Sequence, residues 1–230
     1  MSAAPQVVNL DQRAPLGRKD RDGQEAVLKL DILRDRVEHL VELYQAAADA
    51  QGDQWRADFD QDGIFFMSRI NSEAEWVESF DLNPTVRQTL DPNPDDPASF
   101  SELLSSGADS FSFGLSDDTG ERTRVRGSDT LTGRTVVIDG ISLQETAFNF
   151  TETDLNGKVL RSSRGNEYIS AEWRLFFSGP SEWDGGDGTY VPIDGSPMQF
   201  IFPGEPGFAS TQPLFDCDAV MSSLPFPPKS

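Results

Sequence analysis

The chain has 230 residues and a formal net charge of −20, from 39 Asp and Glu against 19 Lys and Arg, so phosphate backbones and anionic membrane surfaces are repelled and nucleic acid is excluded as a partner. Hydrophobic residues make up 37% of it, with 16 Phe, which suits a packed core and excludes wholesale disorder. A single cysteine, Cys217, excludes an intrachain disulfide and a multi-cysteine metal site, and no run of about 18 apolar residues could span a bilayer; a cytoplasmic protein is expected.

Residues 1–23 are polar and punctuated by Pro5, Pro15, Gly17 and Gly23, which predicts a flexible arm. From Gln24 to Asp49, Leu30, Leu33, Val37, Leu40, Tyr44 and Ala47 recur at spacings of three and four, the pattern of an amphipathic helix packed on a sheet. Ile64 to Ile70 suits a short strand. Ser72-Glu73-Ala74-Glu75 before Trp76, Val77 and Phe80 reads as a capping box opening a second helix, and the four prolines of 83–98 predict a surface loop. A helical turn over Ser99–Ser105 precedes strands over 109–115, 121–126 and 131–138, and the meander continues through 141–153, 158–169 and 172–177. Beyond Gly179 the prolines thicken, and only 198–202 has strand character, as an edge or returning strand. The expected organisation is therefore an arm (1–23), one domain (24–178) and an extension wrapping it (179–230).

Two dipeptides, Asp139-Gly140 and Asn156-Gly157, are those that two-residue hairpin turns favour, and such turns set strand register. Counting outward from Asn156-Gly157 puts Phe150 opposite Ser163, Phe148 opposite Gly165 and Thr146 opposite Glu167, so Glu167 shares a face with both phenylalanines. Counting from Asp139-Gly140 puts Val136 opposite Leu143 and Ile138 opposite Ile141, on the other face of the same strand. The apolar face must switch near Gln144 to Ala147, through a β-bulge or because both faces are covered at different points.

Thr132-Gly133-Arg134, then Gly140, then Asn156-Gly157-Lys158-Val159 resembles a run common in SnoaL-like members of the nuclear-transport-factor-2-like superfamily, which includes ketosteroid isomerases. The resemblance covers about residues 28–170; the insertion at 83–98 and the residues after Gly179 depart from it. It implies a cone-like α+β domain, with the N-terminal helix and shorter helices in the concavity of a curved antiparallel sheet. A calycin-like β-barrel is the alternative architecture. The resemblance further implies a pocket for a small hydrophobic molecule, with Phe148, Phe150, Trp173 and Tyr44 as candidate ligand-binding residues. It also implies a carboxylate base on the strand after the second turn, where this chain has Glu167 beside Tyr168. An isomerase, cyclase or dehydratase acting on a carbonyl compound would use these two. The competing reading of Glu167 is a rim carboxylate paired with Arg161, Arg164 or Arg174.

Asp58, Asp60 and Asp62 before Gly63 match the first half of a calcium loop, but position twelve is Arg69, so a solvated turn is the simpler reading and no metal or cofactor is expected. His39 is the sole histidine and reads as a boundary residue, while Cys217 between two aspartates reads as structural. A homodimer formed through the sheet face, or a basic partner of the acidic tail, is the non-enzymatic alternative.

Overall fold

Leu28, Leu30 and Ile32 alternate with Lys29 and Asp31, and Val41 and Leu43 flank Glu42, so the segment read as a long helix satisfies the strand period in part as well as the helical one. The strand wins. In the computed structural model, which describes residues 24–34, 37–46, 49–60, 63–82, 84–202 and 205–208, this segment is the hairpin β1 (Gln24–Arg34) and β2 (Val37–Ala46), with Leu30 opposite Val41. Tertiary pairing decides between the periods: β2 adds to β3 (Gln54–Asp60) and β1 receives β13 (Pro197–Ile201), so each strand gains two ladders that a helix would forgo.

The second expected helix is also a strand. Asn71 accepts the backbone N–H groups of Glu73 and Glu75 on its side-chain oxygen, at 2.9 and 3.1 Å, and closes a turn where the capping box was read. That turn joins β4 (Gly63–Ile70) to β5 (Trp76–Leu82), and β6 (Thr85–Leu90) occupies part of the region expected as loop. The single described helix, α1 (Phe100–Ser106), begins where Ser99 caps the Glu102 N–H and ends at Gly107, whose φ of 85° makes it the left-handed cap. The meander then runs through β7 (Ala108–Asp117), β8 (Arg122–Ile138), β9 (Ile141–Asp154), β10 (Val159–Ser170), β11 (Leu175–Asp184) and β12 (Val191–Asp194).

The fold is therefore not the expected α+β cone with several helices. It is a single antiparallel sheet of 13 strands in sequential order, except that β13 returns to the far edge beside β1, and it curls into a half-barrel. It is open, since β12 and β13 are the two edges and share no ladder. Only Gly195 and Ser196 link those edge strands, a span of at most roughly 10 Å, which forces the edges towards each other. β11 runs unbroken across residues 178 and 179, where a boundary between domain and extension was expected.

Both counted registers are present: Phe150 pairs with Ser163 and Glu167 with Thr146, while Val136 pairs with Leu143. The second turn reaches its register differently from expectation. Asp154 and Lys158 close a three-residue loop, with Gly157 at φ 86°, and a bulge between Val159 and Arg161 restores the count. The face switch comes from covering both faces. β9 runs on regularly past a β8 bulge between Leu131 and Thr135 that adds two residues and so leaves the alternation unchanged, and the consecutive residues Glu145 and Thr146 are both buried because each face of β9 is covered there. On one face Leu143, Tyr168, Phe177 and Phe200 form a cluster under β13; on the other α1 sets Phe100 and Leu103 against Ile169.

Candidate functional site

The concave side of the half-barrel encloses a cavity of about 360 Å³, at the small end of the roughly 300–1,000 Å³ typical of ligand sites. Register explains its walls. Phe111, Gly127 and Phe150 form one cross-strand row on β7, β8 and β9, and Asp109, Asp129 and Phe148 form the next. A Cβ on Gly127 would lie 2.5 Å from the Phe111 ring and 2.3 Å from the Asn149 carbonyl oxygen, so glycine is what lets that ring lie flat on β8. Trp76 from β5 meets Phe113 and Phe150 edge-on, with centroids 5.4 and 5.8 Å apart, and Phe66 faces them from β4.

Turn residues tie the rim together. Gln54 at the start of β3 donates to the Trp173 carbonyl at 2.9 Å, and Arg174 pairs with Glu73 at 2.8 Å, so the β10–β11 turn is fastened to both β3 and the β4–β5 turn. This brings β3 across the cavity from β10, near enough for Arg56 to act electrostatically on Glu167.

The carboxyl groups separate into two kinds. Asp53, Asp58, Glu78, Glu145 and Glu152 are buried but partnered: Arg69 holds Asp53 and Glu78 at 2.5 and 2.7 Å, Arg56 holds Asp58 at 2.6 Å, Arg134 meets Glu145 at 3.3 Å and Arg161 holds Glu152 at 2.5 Å. Asp184 accepts three backbone N–H groups and Asp109 accepts that of Ser99 at 2.9 Å. Asp129 and Glu167 differ, because among the described residues neither carboxyl takes part in a hydrogen bond or ion pair, and both line the cavity. Burial pushes Glu167 up to about 8, with a further push from Asp129 and partial relief from Arg56. Glu167 keeps some accessible surface and lines the cavity. Asp129, only 9% exposed, is raised to about 7 by burial and then by Asp109, which faces it directly across β7 and β8.

Of the residues singled out from sequence, Glu167, Phe148 and Phe150 converge on the cavity. Tyr168 points the other way, as the next residue on a strand must, and packs with Leu143, Phe177 and Phe200. Trp173 belongs to the same cluster, its ring 5.9 Å from that of Phe200. The Tyr44 side chain lies outside the described ones, as do those of His39, Asp60 and Asp62 and the whole of Cys217. Asp58 sits on β3 and is held by Arg56 through both carboxylate oxygens, at 2.6 and 2.7 Å, which removes it from any calcium loop. Among the described residues no group of three His, Cys, Asp or Glu is placed to hold a metal, and no helix is long and apolar enough to cross a membrane. The three arginines expected as partners of Glu167 are engaged elsewhere: Arg161 with Glu152, Arg164 with Glu182 and Arg174 with Glu73.

Asp129 was not singled out from sequence, although counting back from Asp139-Gly140 sets it opposite Phe150 on the cavity face; the β8 bulge adds two residues, which moves its partner to Phe148 and leaves the face unchanged.

No protein-family model, no curated protein and no solved structure matches this chain.

Proposed function

We propose that the protein is an acid–base enzyme for a small carbonyl compound, an isomerase, cyclase or dehydratase, in which Glu167 moves a proton at a carbon next to the carbonyl. One observation carries this reading: the Glu167 carboxyl has no hydrogen-bond or ion-pair partner among the described residues and lines a cavity that several aromatic rings help to wall. A carboxylate held there is a stronger base than one in water, because its charged form lacks hydration. With its affinity for a proton raised to about 8, Glu167 also carries the proton well enough at neutral pH to return it to another carbon. The apolar rings orient the substrate body and keep competing water away. Tyr168, on the opposite face of β10, has no part in the step.

The test is deuterium exchange at the α-carbons of a panel of small ketones and aldehydes in D₂O, followed by NMR. Wild-type protein should accelerate exchange for at least one compound, Glu167→Gln should lose roughly 10²–10⁴-fold, and Tyr168→Phe should match wild type. Exchange that survives Glu167→Gln undiminished, or none above buffer across the panel, counts against the reading.

A further inference from the structure

We infer that the occupant of the cavity is an organic cation, an amine with a small apolar body, and that Asp129 is its counter-ion. The inference rests on taking the cavity as the binding site, as above, and names the ligand class.

The guanidinium groups of the wall are already allotted. Arg56, Arg69 and Arg161 line the cavity, yet each is committed to carboxylates of its own: Arg56 to Asp58, Arg69 to Asp53 and Glu78, and Arg161 to Glu152. Among the described residues no arginine of the wall is left for an anionic ligand, so carboxylates and phosphates are poor candidates. On the negative side Asp129 is buried, lines the cavity and has no hydrogen-bond partner among the described residues. A buried polar group left in that condition costs roughly 1–3 kcal/mol, more if charged, unless something else meets it.

Its surroundings specify what that is. Directly across the ladder stands Asp109, which burial raises above the usual carboxylate range while its bond from the Ser99 N–H works against that rise, so two carboxyl groups oppose each other on neighbouring strands. Glu167 adds a third carboxyl within electrostatic range. A neutral ligand would leave this negative potential uncompensated, whereas a cation would meet it. A bare metal ion suits the site poorly, because among the described residues no three His, Cys, Asp or Glu side chains are placed to hold one. An ammonium group suits it well: Phe148 is the cross-strand neighbour of Asp129, and Phe111 and Phe113 stand on the same wall with ring faces that attract a cation. The volume of about 360 Å³ sets the scale at a single-ring amine or one slightly larger.

The experiment compares three probes of one shape, benzylamine (protonated at neutral pH), benzyl alcohol and benzoate, titrated into the full-length protein by calorimetry, with tryptophan fluorescence as a second readout. Benzylamine should bind at least about tenfold more tightly than benzyl alcohol, the factor that about 1.4 kcal/mol of charge-assisted contact gives, and benzoate should bind least. Asp129→Asn, which keeps the shape and removes the charge, should bring benzylamine down to the affinity of benzyl alcohol. Equal affinities for the amine and the alcohol, a preference that survives Asp129→Asn, or no benzylamine binding at millimolar concentration would each overturn the inference. These outcomes are separable from those of the exchange test: neutral ketones can exchange at Glu167 without any amine preference, and amines can bind where no exchange occurs.

Discussion

Replacing Glu167 by Gln should make the protein more stable, and by an amount that grows with pH. In the folded chain the Glu167 carboxyl titrates near 8, against an ordinary value of 4.5. Below pH 4.5 it is protonated in both folded and unfolded states, and its ionisation costs nothing. Between 4.5 and 8 the unfolded chain releases this proton while the folded chain keeps it, so stability falls by about 1.4 kcal/mol per pH unit and levels off above 8. At pH 7 the accumulated penalty is on the order of 3 kcal/mol, a large share of the roughly 5–15 kcal/mol that holds a domain together. Glutamine is close in shape and carries no ionisable proton, so it escapes the penalty while retaining the packing. Asp129 loses a repelling neighbour at the same time, which acts in the same direction. Urea unfolding of both proteins at pH 5, 6, 7 and 8 measures the difference directly. A difference near zero at pH 5 that widens to a few kcal/mol at pH 8 is expected; a constant difference, or a variant less stable at pH 8, refutes the placement of an unpartnered carboxyl in the cavity.

Two further outcomes test how the cavity is built. Gly127→Ala drives a methyl group into the Asn149 carbonyl oxygen and the Phe111 ring and should cost about 3 kcal/mol in urea unfolding; a neutral result would mean that the ring does not lie on β8. Arg69→Ala strips Asp53 of its cation and Glu78 of one of two, and both carboxylates are buried, so a loss of about 3 kcal/mol is expected at neutral pH; a loss below about 1 kcal/mol would place this network at the level of a surface salt bridge.

Short-range chemistry was the legible part of this chain. Asp139-Gly140 turns with both residues at positive φ, and the register counted from it holds to the last apolar pair, because turn geometry is a local property of two residues. Ser99 and Gly107 bracket α1 for the same reason. The N-terminal segment was not legible, since Leu30, Leu33, Val37 and Leu40 fit a helix while Leu28, Leu30 and Ile32 fit a strand, and only the presence of β3 and β13 as partners decides. Thr132-Gly133-Arg134, which supplied part of a family resemblance, lies in the bulge of β8, where Thr132 and Arg134 meet Glu145. Its residues follow from a local backbone need as well as from any shared descent.

That bulge bears differently on the two halves of the candidate site. Glu167 and Phe148 lie on β10 and β9, where a bulge beside the turn restores the simple count, so their shared face follows from sequence alone. Asp129 lies beyond the β8 bulge, and a one-residue error in the size of that bulge would turn its side chain from the cavity to solvent. The bulge adds two residues, so the face is kept and Asp129 joins Glu167 on the cavity side. With the observed register it holds two, each raised towards neutrality by burial, while every other buried carboxylate among the described residues has a guanidinium or a backbone N–H to meet it. A fold that supplies partners so consistently elsewhere could have done so here with Arg161 or Arg174 on neighbouring positions, yet those arginines turn to Glu152 and Glu73. The stability forgone at neutral pH is therefore concentrated at the one place where a ligand could recover it.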